Sequence, residues 1–269
     1  AAKNRTIDLF RKIKAENTRI QHLESGPAAI EFNNLFLDHE IEDSQLRMIF
    51  ACCHPDLQSK DQIAFSLKTI SGFSQKEIAA ALLTKEESIK KRLQRARKTI
   101  VENDIQLEIP LGKELANRID NVLQVIYLIF NEGFYSNGQK FIIRKDLCGE
   151  ALRLCKIILN KESLRTGPVY ALFSLMCFHS SRMDEKIIDD KLVSLKDQNR
   201  KNWFRPLIEL GNSSLQRAIS MQANSSYFYE AAIAYEHSNS TNFKETNWKT
   251  ILHYYQELNS LHPSYFILL

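Results

Sequence analysis

The sequence has few residues that break helices and no long uninterrupted apolar run. Its 269 residues include only 8 glycines and 6 prolines, and sustained alternation of apolar and polar residues is rare. This composition favours an all-α protein over a sheet-rich fold with many tight turns. Because no stretch approaches ~18 consecutive apolar residues, we expect no membrane span.

The chain also lacks a cysteine framework. Its five cysteines are odd in number and form no C-x-x-C pair, unlike a secreted disulfide scaffold or a paired zinc site. We therefore expect reduced thiols and a cytoplasmic protein. Adjacent Cys52, Cys53 and His54 do not fit one tetrahedral metal, because neighbouring side chains on a helix point ~100° apart. Cys148 and Cys155 are expected to pack in a core.

Motifs that carry catalytic chemistry are absent as well. There is no phosphate-binding glycine loop. Glu132 and Asp146 have no nucleophile or positioned histidine with them, and Asp146 is better explained as a helix cap. Gly133, in the aromatic run FNEGFY, is expected to close a helix. We therefore predict no catalytic site, no cofactor, no metal and no small-molecule substrate.

The stretch 73–98, FSQKEIAAALLTKEESIKKRLQRARK, predicts two helices joined by a tight turn. Ser74 and Glu77 have the spacing of a capping box at the start of the first helix. Thr84 is the expected cap of the second helix, which we place at 86–101. Two short helices joined in this way are typical of a helix-turn-helix, which lays its second helix in the DNA major groove.

The helix at 86–101 has one apolar face and one strongly basic face. The residues that form the apolar stripe are Ile89, Leu93, Ala96 and Ile100. The side chains expected to face the bases are Glu87, Ser88, Lys91, Gln94 and Arg95. The side chains expected to hold phosphates are Lys90, Arg92, Arg97 and Lys98. Lysine and arginine suit phosphates and guanine edges, and glutamine suits adenine; the alternative is a solvated basic face on an ordinary helical hairpin.

Positive charge is concentrated in two segments. Residues 85–98 have a net charge of +5 and residues 1–20 a net charge of +4, whereas the whole chain is only +4. The remainder of the chain is therefore acidic. Focused basic charge steers a protein toward a polyanion more effectively than overall charge does.

The basic helix resembles region 4 of bacterial alternative sigma factors of the extracytoplasmic-function group. The positions that match that family's pattern are Ser88, Ile89, Lys90, Arg92, Leu93, Arg95, Ala96 and Arg97. The opening run AAKNRTIDLFRKIK resembles the last helix of sigma region 2, which contacts the −10 promoter element. By that resemblance the residues near DNA in this run are Asn4, Arg5, Arg11 and Lys12.

The resemblance implies two partners, promoter DNA and core RNA polymerase. The helix at 86–101 would bind −35 duplex. The same domain would contact the flap of the polymerase β subunit, and the β′ clamp would be bound through the part of region 2 that is missing here. Only the last region 2 helix is present and the end is apolar, so we expect the chain to be a fragment of a longer sigma factor.

The remaining segments resemble a subgroup with a long, tetratricopeptide-like C-terminal extension. The runs that carry this resemblance are LRMIFACCHP, YLIFNEGFY and DLCGEALRL. We predict four parts, namely a region 2 remnant at 1–23, a linker at 24–43, a helix-turn-helix domain at 44–108 and a helical hairpin array at 113–269. The amphipathic segments expected in that array are 114–134, 146–160, 167–183, 203–220, 226–238 and 247–260.

The role of the extension is left open by the sequence. It is predicted to be a regulatory or scaffold module of a sigma factor. Alternatively, the chain is a promoter-specific helix-turn-helix regulator whose helical domain senses a ligand or partner. A third possibility, an enzyme domain fused to a DNA reader, is disfavoured because 113–269 lacks clustered ionisable residues. These alternatives differ in their need for core polymerase.

Overall fold

The computed structural model describes residues 43–108, 110, 112–135, 143–188, 191–261 and 263. The predicted region 2 remnant, the linker before Asp43 and the DNA contacts of Asn4, Arg5, Arg11 and Lys12 lie outside the described residues. Those described are almost wholly helical, and the all-α prediction is confirmed.

Eleven α-helices occur in the described segments, together with two single-turn 3-10 helices and one small antiparallel sheet. The helices are α1 Ser44–Cys52, α2 Ser59–Thr69, α3 Gln75–Ala81, α4 Glu86–Glu102, α5 Lys113–Phe134, α6 Lys145–Asn160, α7 Gly167–Ser181, α8 Met183–Lys186, α9 Arg205–Ser220, α10 Ser226–Asn239 and α11 Trp248–Leu261. The 3-10 helices are Glu162–Leu164 and Arg200–Asn202. Strand β1 Ile187–Ile188 pairs with β2 Lys191–Leu192, with Ile187 opposite Leu192.

Helix α1 is buried on nearly all sides. Asp43 caps it, because its Oδ1 accepts a hydrogen bond of 2.9 Å from the Leu46 backbone N–H. Its buried residues are Leu46, Met48, Ile49, Phe50, Ala51 and Cys52, which cover more than one face of the helix. Helices α2 and α5 pack against it and enclose these positions.

Helices α5 and α6 approach each other closely where α5 ends. Gly133 lies inside α5, and a Cβ on it would come within 2.7 Å of Cys148 Sγ and 2.9 Å of the Arg144 carbonyl oxygen. The prediction that Gly133 closes a helix is therefore wrong; glycine is needed there for close packing. Asp146 is not a cap either, because the N-cap residue of α6 is Arg144 and no side chain caps it.

Helix α7 lies between two apolar clusters and was wrongly predicted to be amphipathic. Met176 and Cys177 belong to a large core that begins at α1, whereas Leu175 and Phe178 belong to a second core with Trp203. Helix α7 packs against α6 on one side and against α9 and α10 on the other. A helix enclosed in this way carries apolar residues around its whole circumference.

One core is continuous between the helix-turn-helix and the first helices of the extension. It runs from Leu46 in α1 to Cys177 in α7 without a break at Pro110. Arg118 of α5 donates a hydrogen bond of 3.0 Å to the Phe50 carbonyl oxygen. Asn121 Nδ2 donates to Gln62 Oε1 at 2.7 Å. Helix α5 is therefore both the first helix of the extension and part of the support of the helix-turn-helix.

All five cysteines are buried and unpaired as disulfides. Burial raises the pKa of the Cys53, Cys148 and Cys177 thiols to about 12 and also raises those of Cys52 and Cys155. Within the described segments, no three metal-ligating side chains cluster into a metal site. Among the described helices, none has the length and apolar character needed to cross a bilayer.

Candidate nucleic-acid interface

The first helix of the motif, α3, begins with the predicted capping box. The Glu77 backbone N–H donates to Ser74 Oγ at 3.1 Å, and the Ser74 backbone N–H donates to Glu77 Oε2 at 2.6 Å. These two bonds satisfy donors that the first turn of a helix leaves free. They fix where α3 starts and so where the following turn falls.

The turn between α3 and α4 is built on a left-handed residue that is not glycine. Leu83 has φ +47° and is 87% exposed. Its backbone N–H donates to the Ala80 carbonyl, and the Thr84 N–H donates to the Ala79 carbonyl at 2.9 Å, the pattern of a Schellman motif. The prediction that Thr84 caps α4 is wrong, because Thr84 still belongs to the end of α3 and the N-cap is Lys85.

Helix α4 packs through its apolar stripe and leaves its basic face in solvent. Ile89, Leu93 and Ala96 are buried against α2 and α3, and Ile100 is half-buried. Of the predicted DNA-contacting residues on this helix, two are half-buried, Ser88 and Arg92. The exposed ones are Glu87, Lys90, Lys91, Gln94, Arg95, Arg97 and Lys98. The arrangement brings these side chains onto one side of the helix-turn-helix, as a groove-binding helix requires.

Asp61 of α2 holds the middle of α4 through Arg95. The guanidinium donates from Nε to Asp61 Oδ2 at 3.0 Å and from Nη2 to Oδ1 at 2.8 Å. The Asp61 side chain is 4% exposed and that of Arg95 is 54% exposed. This hydrogen-bonded pair raises the pKa of Arg95. Arg95 thus positions α4 in the free protein, and its contact with a base stays a prediction.

Sequence reasoning missed Asp61, although a signal for it was present. It is an acidic residue at the start of the otherwise apolar helical run QIAFSL, on a helix that packs against the basic one. A carboxylate buried in such a place requires a cationic partner. The candidates for that partner were the basic residues of α4.

Four cations of α4 have no ion pair within the part of the chain that the structure describes. They are Lys90, Lys91, Arg92 and Arg97. Lys98 pairs with Glu102 one turn later at 3.6 Å, an exposed contact of the kind that contributes little to stability. The basic face is therefore available for phosphate groups.

Residues 47–100 match the family described as Sigma-70, region 4. We refer to this segment, which is similar to sigma-70 region 4, as the region 4 domain. The matched segment spans α1 to nearly the end of α4, and therefore includes both the Asp61–Arg95 pair and the basic face.

The extension resembles proteins whose role is not known. Residues 118–219 match a family of unknown function, DUF6596. The chain is 32% identical over 222 residues to an uncharacterized protein of Rhizobium meliloti (strain 1021), an alignment that covers 82% of this chain and 52% of that protein. The chain thus spans about half the length of this relative. No solved structure matches the chain.

The region 4 domain is tied to the extension by Arg144. Its Nη1 lies 3.6 Å from Glu77 Oε1 in the capping box of α3 and 3.8 Å from Glu132 Oε1 in α5. Hydrogen bonds from Ser74 lower the pKa of Glu77, whereas burial raises the pKa of Glu132. The start of α3 is therefore in electrostatic contact with the end of α5.

Proposed function

We propose that the chain is part of a sigma factor that directs RNA polymerase to promoters. The observation that carries this proposal is the exposed, largely unpaired basic face of α4, the second helix of a helix-turn-helix within the segment similar to sigma-70 region 4. In this role α4 reads −35 duplex and lies in the major groove. In this proposal the residues that the structure describes act by binding DNA and protein, without catalysis.

The finer assignment is to the extracytoplasmic-function group with a tetratricopeptide-like extension. The motif in α4 and the runs around α1, α5 and α6 support it. In this proposal, which places the protein in the cytoplasm, the region 4 domain contacts the β flap and a sigma region 2 contacts the β′ clamp. The extension regulates region 4 or adds a protein contact, a role supported by the continuous core and by Arg144.

The DNA-reading role is tested by selecting duplexes from a random library with the full chain. Gln94→Ala should relax the selected sequence at one position and cost ~1–3 kcal/mol against the preferred base. Lys90→Ala should weaken binding to all sequences and reduce the salt slope by about 1. Lys156→Ala removes the same charge from an exposed position on α6 and is the matched control. Equal effects of Gln94→Ala and Lys90→Ala on base preference would contradict the assigned roles.

The polymerase-binding role is tested by competition. The full chain should bind core RNA polymerase saturably and compete with a housekeeping sigma factor. Sequence-specific duplex binding without any affinity for core polymerase would favour the second candidate, a free-standing helix-turn-helix regulator. The observation that favours this candidate is a cleft in the extension lined by polar groups.

A further inference from the structure

The extension contains an open cleft of about 350 Å³ where α7, α10 and α11 meet the end of α5. This volume lies in the range of small-molecule sites, roughly 300–1,000 Å³. Its lining combines apolar, aromatic and charged side chains. The lining side chains include Tyr135, Phe178, Arg182, Glu230, Ile233 and Tyr255.

Arg182, at the C-terminus of α7, is a half-buried cation without an acidic partner among the described residues. Its Nη1 donates to Gln198 Oε1 at 3.4 Å, and its Nη2 lies 3.4 Å from His179 Nδ1. Its guanidinium carbon lies 5.1 Å from the centre of the Phe134 ring. Long contacts to neutral groups leave the charge of a guanidinium poorly compensated away from water, and a planar anion would compensate it.

A second cation lies beside Arg182. Lys186 is 7% exposed, donates a hydrogen bond to the Phe134 carbonyl oxygen, and lies 3.6 Å from the centre of the Phe134 ring and 4.1 Å from that of Tyr135. Burial and the nearby Arg182 lower the pKa of Lys186 to about 8. Burial and these two cations also hold the pKa of His179 well below its ordinary value. The positive charge at this end of the cleft is therefore not balanced by an acidic group.

The opposite wall is formed by α10 and carries Glu230, the one carboxyl group among the described residues that line the cleft. Glu230 accepts a hydrogen bond from the Tyr127 hydroxyl, and burial raises the pKa of Glu230. On the same helix His237 has a buried Nδ1 without a hydrogen-bond partner in the described structure. Ile233 contributes apolar surface between them. This wall suits an apolar body with a hydrogen-bonding group and disfavours a second negative charge.

We propose that this cleft binds a small organic monocarboxylate with an aromatic or apolar body. The carboxylate contacts Arg182, and the body lies against Phe178 and Ile233 under Tyr255. A carboxylate is preferred over a phosphate because the planar fork of arginine matches one carboxylate, while the wall that carries Glu230 offers no cation for a second negative charge. This binding does not depend on DNA, so it can be tested independently of promoter recognition.

The test compares carboxylates with their uncharged amides on the full chain. The probe pairs are benzoate and benzamide, phenylacetate and phenylacetamide, and indole-3-acetate and indole-3-acetamide, with inorganic phosphate as a separate arm. Affinity is measured by calorimetry and by ligand-observed NMR. At least one carboxylate should bind roughly tenfold or more tightly than its amide, as expected when a buried charge loses its partner.

Two variants locate the site. Arg182→Gln should abolish the preference for carboxylate, whereas Arg217→Gln, an exposed arginine of α9, should retain it. Tyr255→Ala, at an exposed position of the rim, should weaken the aromatic carboxylates severalfold and keeps the test informative if Arg182→Gln does not fold. The proposal is overturned if no pair shows a carboxylate preference, if the preference survives in Arg182→Gln, or if phosphate binds as tightly as the carboxylates.

Discussion

The basic face of α4 and the cleft of the extension both present positive charge, but in opposite solvent environments. Lys90, Lys91 and Arg97 stand in water on α4, whereas Arg182 is half-buried and Lys186 is buried. Exposed cations keep their hydration and are screened by salt, so each contributes a weak contact to a polyanion. A desolvated cation interacts strongly with a single anion. The same charge therefore suits a long DNA backbone in one place and one small molecule in the other.

The salt dependence of ligand affinity should distinguish the two regions most clearly. Four unpaired cations on α4 predict a log–log salt slope near −3.6 for DNA, or about a hundredfold loss of affinity between 50 and 200 mM salt. Carboxylate binding in the cleft should weaken by no more than about fourfold over the same range, because one contact is involved. Parallel titrations by fluorescence anisotropy and calorimetry would measure both. Equal salt slopes would abolish the distinction between the two regions.

Removing Arg95 and neutralising Asp61 should lower the free energy of unfolding by different amounts. Arg95→Ala leaves a buried carboxylate without a partner and should lower the free energy of unfolding by about 1–3 kcal/mol. Asp61→Asn leaves Arg95 half-exposed to water and should cost less, since the guanidinium can hydrate. Urea unfolding of both variants and of the double variant measures the coupling. If Asp61→Asn were the more damaging change, Arg95 would not be what compensates the buried charge.

Lys186 should make the free energy of unfolding depend on pH, which an exposed lysine would not do. Its pKa is about 8 in the folded chain against about 10.5 unfolded, so the unfolded state binds more protons between these values and this contribution to stability rises with pH. Lys186→Met should remove about 1–3 kcal/mol of that rise between pH 8 and 10. Ionisation of thiols in the unfolded state makes stability fall with rising pH in the wild-type chain and in Lys186→Met alike. The measured quantity is therefore the difference in free energy of unfolding between these two proteins. Lys91→Met on α4 is the exposed control and should show no such window.

The left-handed turns give the smallest expected effects. Leu83→Gly should stabilise the chain by about 0.5–1 kcal/mol, because a side chain at φ +47° is strained and this one is largely exposed. Gln222, at φ +53° after α9, offers the same cap in the extension, and Gln222→Gly should give a similar gain. Thermal unfolding of both variants checks this. A gain only at Gln222 would indicate that Leu83 makes a stabilising contact.

Helix positions followed closely from the sequence where apolar periodicity was long. The predicted segments 146–160 and 226–238 are observed at Lys145–Asn160 and Ser226–Asn239. Periodicity could not predict the part between α7 and α9, where a one-turn helix and two-residue strands are too short to show a period. It also missed the all-round burial of α1 and α7, since burial depends on how many helices surround an element.

The basic face of α4 was predictable because this helix has a long apolar periodicity, but contacts between distant residues were not predictable. Arg95 was identified as a surface cation, yet its partner Asp61 is 34 positions away. Arg182 ends an apolar helix with no nearby sequence feature to mark it, and only the packing of α10 and α11 makes it part of a cleft. The left-handed conformation of Leu83 was missed because leucine rarely adopts it.

The reactivity of the buried thiols can also report when the helices around them separate. A thiol whose pKa is near 12 is almost never a thiolate at neutral pH, so alkylating reagents react with it only when the surrounding helices separate. Cys53 lies within the region 4 domain, Cys148 where α6 approaches the end of α5, and Cys177 on the side of α7 that faces the large core. Mass-spectrometric alkylation rates, site by site, would then reveal whether the DNA-reading and extension halves loosen together, as one continuous core requires.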